Sequence, residues 1–121
     1  MTWEAQNFPW QFAGNLQKYA GRWNDMPVDA HMLIALSAPR PVFITGGTMD
    51  QWSDPKGEFL AEVAAGPVYR LLGKKDLGVT TFPAPDSPIM NGELAFNYHT
   101  GPHTLTQTEW KLSLDFLGRY F

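Results

Sequence analysis

The sequence predicts an α/β fold in which short parallel strands are flanked by helices. Two short apolar runs are rich in β-branched residues, and the segments around them keep helical spacing. In chain order the predicted elements are helix, strand, helix, strand, long loop and helix, which is typical of a parallel sheet with helical crossovers. With 121 residues, 44% of them hydrophobic and 14% aromatic, the chain can bury one core, and it shows no internal repeat or linker. We expect a single domain over residues 1–121.

The first strand is expected between a proline-terminated helix and a pair of glycines. An aromatic-rich loop without sustained period opens the chain. A helix is then predicted to begin near residue 26, with Asn24 or Asp25 as its cap, and to end before Pro39. The run Arg40–Thr45 is short and apolar and leads into two glycines, which favours a buried strand with a functional loop at its carboxyl end.

Two more helical segments and a second strand are predicted in the middle of the chain. Asp54 followed by Pro55 indicates a helix start, and the apolar residues after them keep helical spacing. The Gly66–Pro67 pair is expected to break this helix, and residues 68–72 are predicted to form a second, short one. The β-branched run at residues 79–82 then predicts the second strand.

A long loop and a capped helix are predicted to complete the fold. The loop runs from Pro83 to about Thr104, and a loop of that length inside a compact domain is usually functional. Thr106 and Glu109 match the capping box that opens a helix. An apolar stripe follows at helical spacing and consists of Trp110, Leu114, Leu117 and Phe121. The core is expected to contain Trp110, together with Trp3, Trp10 and Trp23.

Composition excludes several classes of function. The formal net charge of −3 comes from 12 acidic against 9 basic residues, and no basic cluster offers a footprint for phosphate backbones. There is no cysteine for disulfide or thiolate chemistry. No segment approaches the ~20 apolar residues of a membrane span, and the first residues lack the basic and apolar regions of a signal peptide. We expect a soluble chain that binds neither nucleic acid nor membrane and uses no cofactor.

Two loops carry the residue types of a serine-hydrolase triad. Asp50 follows the first predicted strand and His103 precedes the last helix, so they are candidates for the acid and the base. No G-x-S-x-G nucleophile elbow occurs anywhere in the chain. Ser53 is the serine closest to this site, although its bulky neighbours would hinder an oxyanion hole. We therefore list Ser53 as the candidate nucleophile of an otherwise incomplete triad.

Three runs of residues resemble a known family. They are Asp29–Val42, Asp50–Phe59 and Pro67–Gly73. Together they are similar to the C-terminal part of bacterial glucuronoyl esterases, carbohydrate esterase family fifteen, and the likeness extends from about Asn15 to Phe121. The resemblance implies the C-terminal portion of an α/β-hydrolase fold. It also implies serine-dependent hydrolysis of an ester of a uronic acid, and a secreted or periplasmic ancestry.

The resemblance also implies roles for individual residues. His103 matches the catalytic histidine of the family, and Trp52 matches a tryptophan that faces the uronate. Asp50 sits where α/β-hydrolases commonly keep the triad acid, although some family members use an acid after an earlier strand. The family tends to have histidine and arginine where this chain has Asn97 and His99, and we count His99 with Trp52 as candidate substrate-binding residues. In the family, the nucleophile and the oxyanion hole come from sequence upstream of these motifs.

Several of these residues also have a simpler interpretation. Asp50 could simply end a turn without a catalytic role, and Asp54 is expected to cap a helix. His31 lies among apolar residues and is expected to be structural. A glycine and a proline between His99 and His103 prevent the helix that would make them a metal-binding pair.

Three classes of function stay open at this stage. The chain could be an ester hydrolase without a recognisable nucleophile, a module that binds a saccharide or aromatic ligand without turnover, or an interaction protein. Two strands are not expected to form a sheet with both faces covered, and the edge of Arg40–Thr45 or of Val79–Phe82 is expected to be unpaired. Such an edge predicts a homo-oligomer.

Overall fold

The structure, a computed structural model, describes residues 6–121 and has helices on both faces of a small parallel sheet. Trp3 lies outside the described residues. The strands are β1 (Val42–Gly47) and β2 (Leu94–His99). The helices are α1 (Ala30–Ala35), α2 (Pro55–Leu71) and α3 (Gln107–Leu117). Short 3-10 turns lie at Pro9–Gln11, Gly14–Tyr19, Trp23–Asp25 and Gln51–Ser53.

The sheet is formed by the parallel pairing of β1 with β2. The register runs from Val42 opposite Leu94 to Gly47 opposite His99. In the described part of the chain these are the two strands of the sheet, and α2 lies in the crossover that joins them. The carboxyl ends of both strands therefore meet at one edge of the sheet.

Side chains alternate between the two faces of the sheet, and each face packs against a different helix. On one face, Phe59 and Tyr69 of α2 pack with Leu94 and Phe96 of β2 in the main core cluster. On the other face, the ring centroid of Phe116 in α3 lies 5.7 Å from that of Phe43 in β1. The expectation that two strands leave one face uncovered is therefore wrong, because α2 packs on one face and α3 on the other.

The second strand does not lie where the sequence predicts it. Residues 79–82 form no strand, and β2 lies inside the segment predicted to be a long loop. Phe82 still contributes a side chain to the core, since its ring lies 5.5 Å from that of Phe59. The sequence does not predict β2, because the polar residues Asn97 and His99 interrupt the apolar pattern of a buried strand. In the structure both residues are buried.

Two helices also differ from the prediction in their bounds. The α2 helix continues through Gly66 and Pro67 instead of breaking there. Pro67 removes one backbone donor from the helix. Gly66 is buried, and a Cβ there would lie 2.8 Å from Oδ2 of Asp76, so the chain packs closely at this point. The α1 helix begins only at Ala30, with Asp29 as its cap through a 2.7 Å bond from the Ala30 amide.

The predicted helix starts of α2 and α3 are confirmed. The Asp54 carboxylate accepts the Gly57 amide at 3.0 Å, with Pro55 at the first helical position. Both halves of the capping box between Thr106 and Glu109 are present at the start of α3. These local signals involve residues three apart, so the sequence alone is enough to locate them.

Three of the tryptophans predicted to lie in the core, Trp10, Trp23 and Trp110, are exposed. Trp110 is 56% exposed. The α3 stripe that includes Trp110 faces outward, and Glu109 and Phe116 are the buried residues of that helix.

Among residues 6–121, no helix combines the length and the apolar character that a membrane-spanning segment needs.

A buried carboxyl group lies in α2 away from the strand ends. Glu62 is fully buried, and neither of its side-chain oxygens has a hydrogen-bond partner among the described residues. Burial raises the pKa of Glu62 from its ordinary 4.5 to about 9, with the negative charge of Glu58 adding to the shift. Glu62 is therefore protonated in the folded chain at neutral pH.

We expect the free energy of unfolding to fall as the pH rises between about 5 and about 9. In this window the folded chain keeps the Glu62 proton and the unfolded chain loses it, so each pH unit costs up to about 1.4 kcal/mol. Urea unfolding at several pH values measures this slope. The variant Glu62→Gln removes the titration without changing the size of the side chain, and its profile should be flatter. An unchanged slope in this variant would contradict the assignment to Glu62.

Candidate active site

The site is built from the two loops that follow β1 and β2. Because the strands are parallel, both loops leave the same edge of the sheet. The Thr48 amide donates to the His99 carbonyl at 2.9 Å, and the Met49 amide donates to the Gly101 carbonyl at 2.9 Å. The Gly101 amide in turn donates to the Thr48 hydroxyl at 3.1 Å. The two loops are therefore bonded to each other directly beyond the strand ends.

Asp50 and His103 meet where these loops join. The Nδ1 atom of His103 lies 2.5 Å from Oδ2 of Asp50, although the residues are far apart in the sequence. The Asp50 side chain is only 10% exposed, whereas the His103 side chain is 84% exposed. Hydrogen bonds from Ser53 and from His103 hold the pKa of Asp50 below its ordinary value. Asp50 is therefore an ionised acceptor next to an exposed imidazole.

The Ser53 hydroxyl lies beside the acid. It donates to Oδ2 of Asp50 at 2.6 Å, the same oxygen that His103 contacts. Its Oγ is also 3.5 Å from Nδ1 of His103, the nitrogen that faces the acid. In a serine triad the nucleophile instead faces Nε2. The position of Ser53 thus differs from that of a triad nucleophile.

The two candidate substrate-binding residues lie in different surroundings. Trp52 is exposed in the Gln51–Ser53 turn, and its ring lies 5.8 Å from that of Phe8. His99 is only 4% exposed, and its ring contacts groups of the protein on both nitrogens. Trp52 is thus exposed in the turn that follows the acid, whereas His99 is enclosed.

The remaining polar candidates lie apart from the acid and base pair. Asp54 has a left-handed backbone with φ 53°, and its carboxylate accepts a hydrogen bond that caps α2. His31 lies near the start of α1, 3.5 Å from the Asp29 carboxylate. Within residues 6–121, no group of three or more His, Cys, Asp or Glu side chains could hold a metal ion.

The groups that pack beneath Asp50 and His103 are not predicted from the sequence. A small cavity of about 130 Å³ adjoins this pair and is lined by Thr45, Gly46, Gly47, Asp50, His99, His103, Thr104 and Leu105. Glu109 is buried 3.7 Å from Nδ1 of His99. The capping box marks Glu109 in the sequence, but its contact with His99 depends on how α3 packs on the sheet.

Comparisons with known proteins find relatives of this chain in one family. A family model described as glucuronyl esterase, fungi, matches residues 2–73, more than half of the chain. The carbohydrate esterase MZ0003, from an unknown prokaryotic organism, is 38% identical over 114 residues, which cover 94% of this chain and 26% of that protein.

Solved structures give the same result. A glucuronoyl esterase from Solibacter usitatus superposes with a TM-score of 0.90 at 42% identity, covering 97% of this chain and 30% of that chain. A CE15 esterase from a marine bacterial metagenome, described as promiscuous, superposes with a TM-score of 0.93 at 36% identity, covering 98% and 30%. These matches confirm the predicted fold, an α/β fold equivalent to the C-terminal part of an α/β-hydrolase.

The chain belongs to the glucuronoyl esterase family. It spans about a quarter to a third of the length of these relatives, 26% of MZ0003 and 30% of the two structures. The activities of the complete relatives are therefore carried to this chain only as a proposal.

Two neighbouring glycines offer a test of how the loops are held. A Cβ on Gly47 would lie 2.6 Å from the Gly101 carbonyl and 2.8 Å from that of Pro102. We expect Gly47→Ala to displace this loop and to lengthen the contact between His103 and Asp50, because backbone atoms cannot yield as a side chain can. The measurement is a crystal structure, or the NMR signals of His103, in the variant.

The adjacent Gly46 is the matched control. A Cβ there would meet Pro55 Cβ at 2.9 Å and Glu58 Oε2 at 3.0 Å, on the α2 side of the sheet. We expect Gly46→Ala to cost a similar 1–3 kcal/mol or so of stability from overpacking while leaving the His103 loop in place. If Gly46→Ala and Gly47→Ala displace His103 equally, it is wrong that Gly47 faces the His103 loop while Gly46 faces α2.

Proposed function

We propose that this chain supplies the acid and the base of a serine-type carboxylic ester hydrolase that acts on esters of uronic acids. The single observation that carries the proposal is the 2.5 Å contact between His103 Nδ1 and Asp50 Oδ2 at the carboxyl ends of parallel strands. The family and the glucuronoyl esterase structures support the class of substrate.

In this proposal Asp50 keeps the proton of His103 on Nδ1. A carboxylate can only accept at this contact, so Nε2 is left as the basic nitrogen on the other side of the ring. Nε2 removes the proton of an attacking hydroxyl while the new bond to the ester carbonyl carbon forms. The same proton then passes to the departing alcohol as the carbon–oxygen bond breaks. The high exposure of His103 leaves Nε2 open for these transfers.

We assign Ser53 a supporting role in place of the nucleophile role that the sequence analysis considers. Its hydroxyl proton is already directed at Asp50, and its oxygen lies on the Nδ1 side of His103. The donated bond stabilises the anionic form of Asp50, which is the form that holds the tautomer. The attacking hydroxyl must then approach Nε2 from a segment other than the Gln51–Ser53 turn.

Trp52 is the proposed sugar-facing residue. Its exposed indole stands two residues after the acid, and Phe8 extends the aromatic surface beside it. A flat aromatic face can pack on the apolar face of a sugar ring. Binding without turnover would use the same surface, and a saccharide titration followed by tryptophan fluorescence separates binding from hydrolysis.

We expect the purified chain to hydrolyse a methyl ester of glucuronate weakly or not at all. Without an aligned hydroxyl there is no acyl-enzyme path, and a histidine acting as a base on water contributes only about 10²–10⁴-fold. Any rate observed should be lost in His103→Ala and lowered in Asp50→Asn. Release of methanol from the ester gives the measurement.

Asp54→Ala is the matched control, since it removes a carboxylate four positions along the same loop. It should cost about 1 kcal/mol of stability through loss of the α2 cap and leave the rate per folded molecule unchanged. Robust turnover by the chain alone, abolished by Ser53→Ala with an inhibitor adduct on the same residue, would refute the supporting role and make Ser53 the nucleophile.

We also propose that a second copy of the chain covers the open edge of β1. In the described part of the chain β1 pairs only with β2, and the outward stripe of α3 adds exposed apolar surface. Unpaired strand edges favour association. Sedimentation equilibrium at micromolar concentration should show a dimer or larger species, and a folded monomer by the same measurement and circular dichroism would contradict this.

A further inference from the structure

The buried histidine at the end of β2 contacts the loop that carries His103. Nε2 of His99 lies 3.1 Å from the carbonyl oxygen of Pro102, the residue immediately before His103. A carbonyl oxygen can only accept, so Nε2 of His99 carries the hydrogen. The exposed histidine is therefore joined through one backbone carbonyl to an enclosed one.

The other nitrogen of His99 is held by two groups from different elements. Its Nδ1 lies 3.3 Å from the Thr45 hydroxyl in β1 and 3.7 Å from Oε1 of Glu109 in α3. A neutral ring accepts from Thr45, and a charged ring donates toward Glu109. In either state the ring keeps its hydrogen on Nε2 toward Pro102.

Glu109 is itself fixed in place. Its carboxylate accepts the Thr106 amide at 2.8 Å and also the Thr106 hydroxyl. Burial raises the pKa of Glu109, but the bonds from Thr106 and the nearby His99 outweigh it, so the pKa is lowered overall. A buried carboxylate thus faces His99 from a rigid helix start.

The Pro102 carbonyl also accepts the Thr104 amide at 2.8 Å, and the Gly101 amide donates to the Thr48 hydroxyl at 3.1 Å, so the bond from His99 is one of several that hold this loop. Gly101 has a positive φ of 144°, a conformation that favours glycine. Gly47 has no side chain where a Cβ would meet Nε2 of His99 at 3.1 Å and the Pro102 carbonyl at 2.8 Å. This close approach lets the His99 ring reach the loop backbone directly.

We propose that His99 is a positioning residue, which holds the Pro102 carbonyl so that Nδ1 of His103 stays on Asp50. This inference rests on the proposed function of the Asp50 and His103 pair. The polar contacts of the His99 ring are with Thr45, Pro102 and Glu109, so it acts on the pair through the loop backbone. Thr45 and Glu109 orient its ring. The substrate-binding role that the sequence indicates for His99 is thereby replaced by a role in alignment.

The test is the tautomer of His103, read from the ¹⁵N shifts of its ring nitrogens in the purified chain. Only three histidines are present, so His31, His99 and His103 can be assigned by single substitutions. In the native chain we expect the hydrogen on Nδ1, because Asp50 accepts there. His99→Leu removes the donor to Pro102 and should shift His103 toward the Nε2–H form that free imidazoles prefer in water.

Two further variants separate positioning from general loss of stability. His99→Gln keeps an N–H at the reach of Nε2 and should restore the Nδ1–H form of His103. Leu77→Ala, in the core on the α2 side of the sheet, should lower the melting temperature while leaving the His103 shifts unchanged. Native shifts in His99→Leu, or equal shifts in Leu77→Ala, would overturn the inference.

Asp50→Ala removes the acceptor and distinguishes this inference from the function on which it rests. If Asp50→Ala leaves the tautomer of His103 unchanged, the acid and base pair itself is wrong and the proposed function fails. If Asp50→Ala shifts the tautomer and His99→Leu does not, the pair stands and only the positioning role fails.

Discussion

The parallel pairing of β1 with β2 is the constraint on which the rest of this structure depends. It brings Gly47 opposite His99, so the loops that follow start side by side and exchange backbone hydrogen bonds at once. An antiparallel arrangement would put these loops at opposite ends of the sheet. Asp50 and His103 can meet only because a helical crossover lets both strands run in the same direction.

Close approach at the strand ends limits which residues can stand there. Gly46 and Gly47 point to opposite faces of β1, and each lies where a Cβ would collide, with α2 on one side and the His103 loop on the other. The buried polar side chains follow the same division. Glu62 lies on α2 and is unpartnered among the described residues, whereas His99 and Glu109 partner each other on the α3 side.

The contacts around the pair are divided between two kinds of support. Ser53 supports Asp50 from within its own turn, which is a local interaction between residues three apart. His103 depends on a chain of distant groups, because its loop is held by β1, by the end of β2 and by the start of α3. The relatives that share this fold are about three to four times longer. In the function we propose, the reacting hydroxyl is one more distant group at the same sheet edge.

The sequence by itself determined the α/β class, the caps of α2 and α3, and the pairing of Asp50 with His103 as candidates. The class and the caps depend on residue type and short spacing, whereas Asp50 and His103 are candidates through residue type and the loops that carry them. Only the tertiary structure decided where the second strand lies, that α2 continues through Pro67, and that His99 is enclosed. The physical reason is the same in each case. Burial against another element overrides local preference, so a polar strand can be interior and a tryptophan such as Trp110 can face outward.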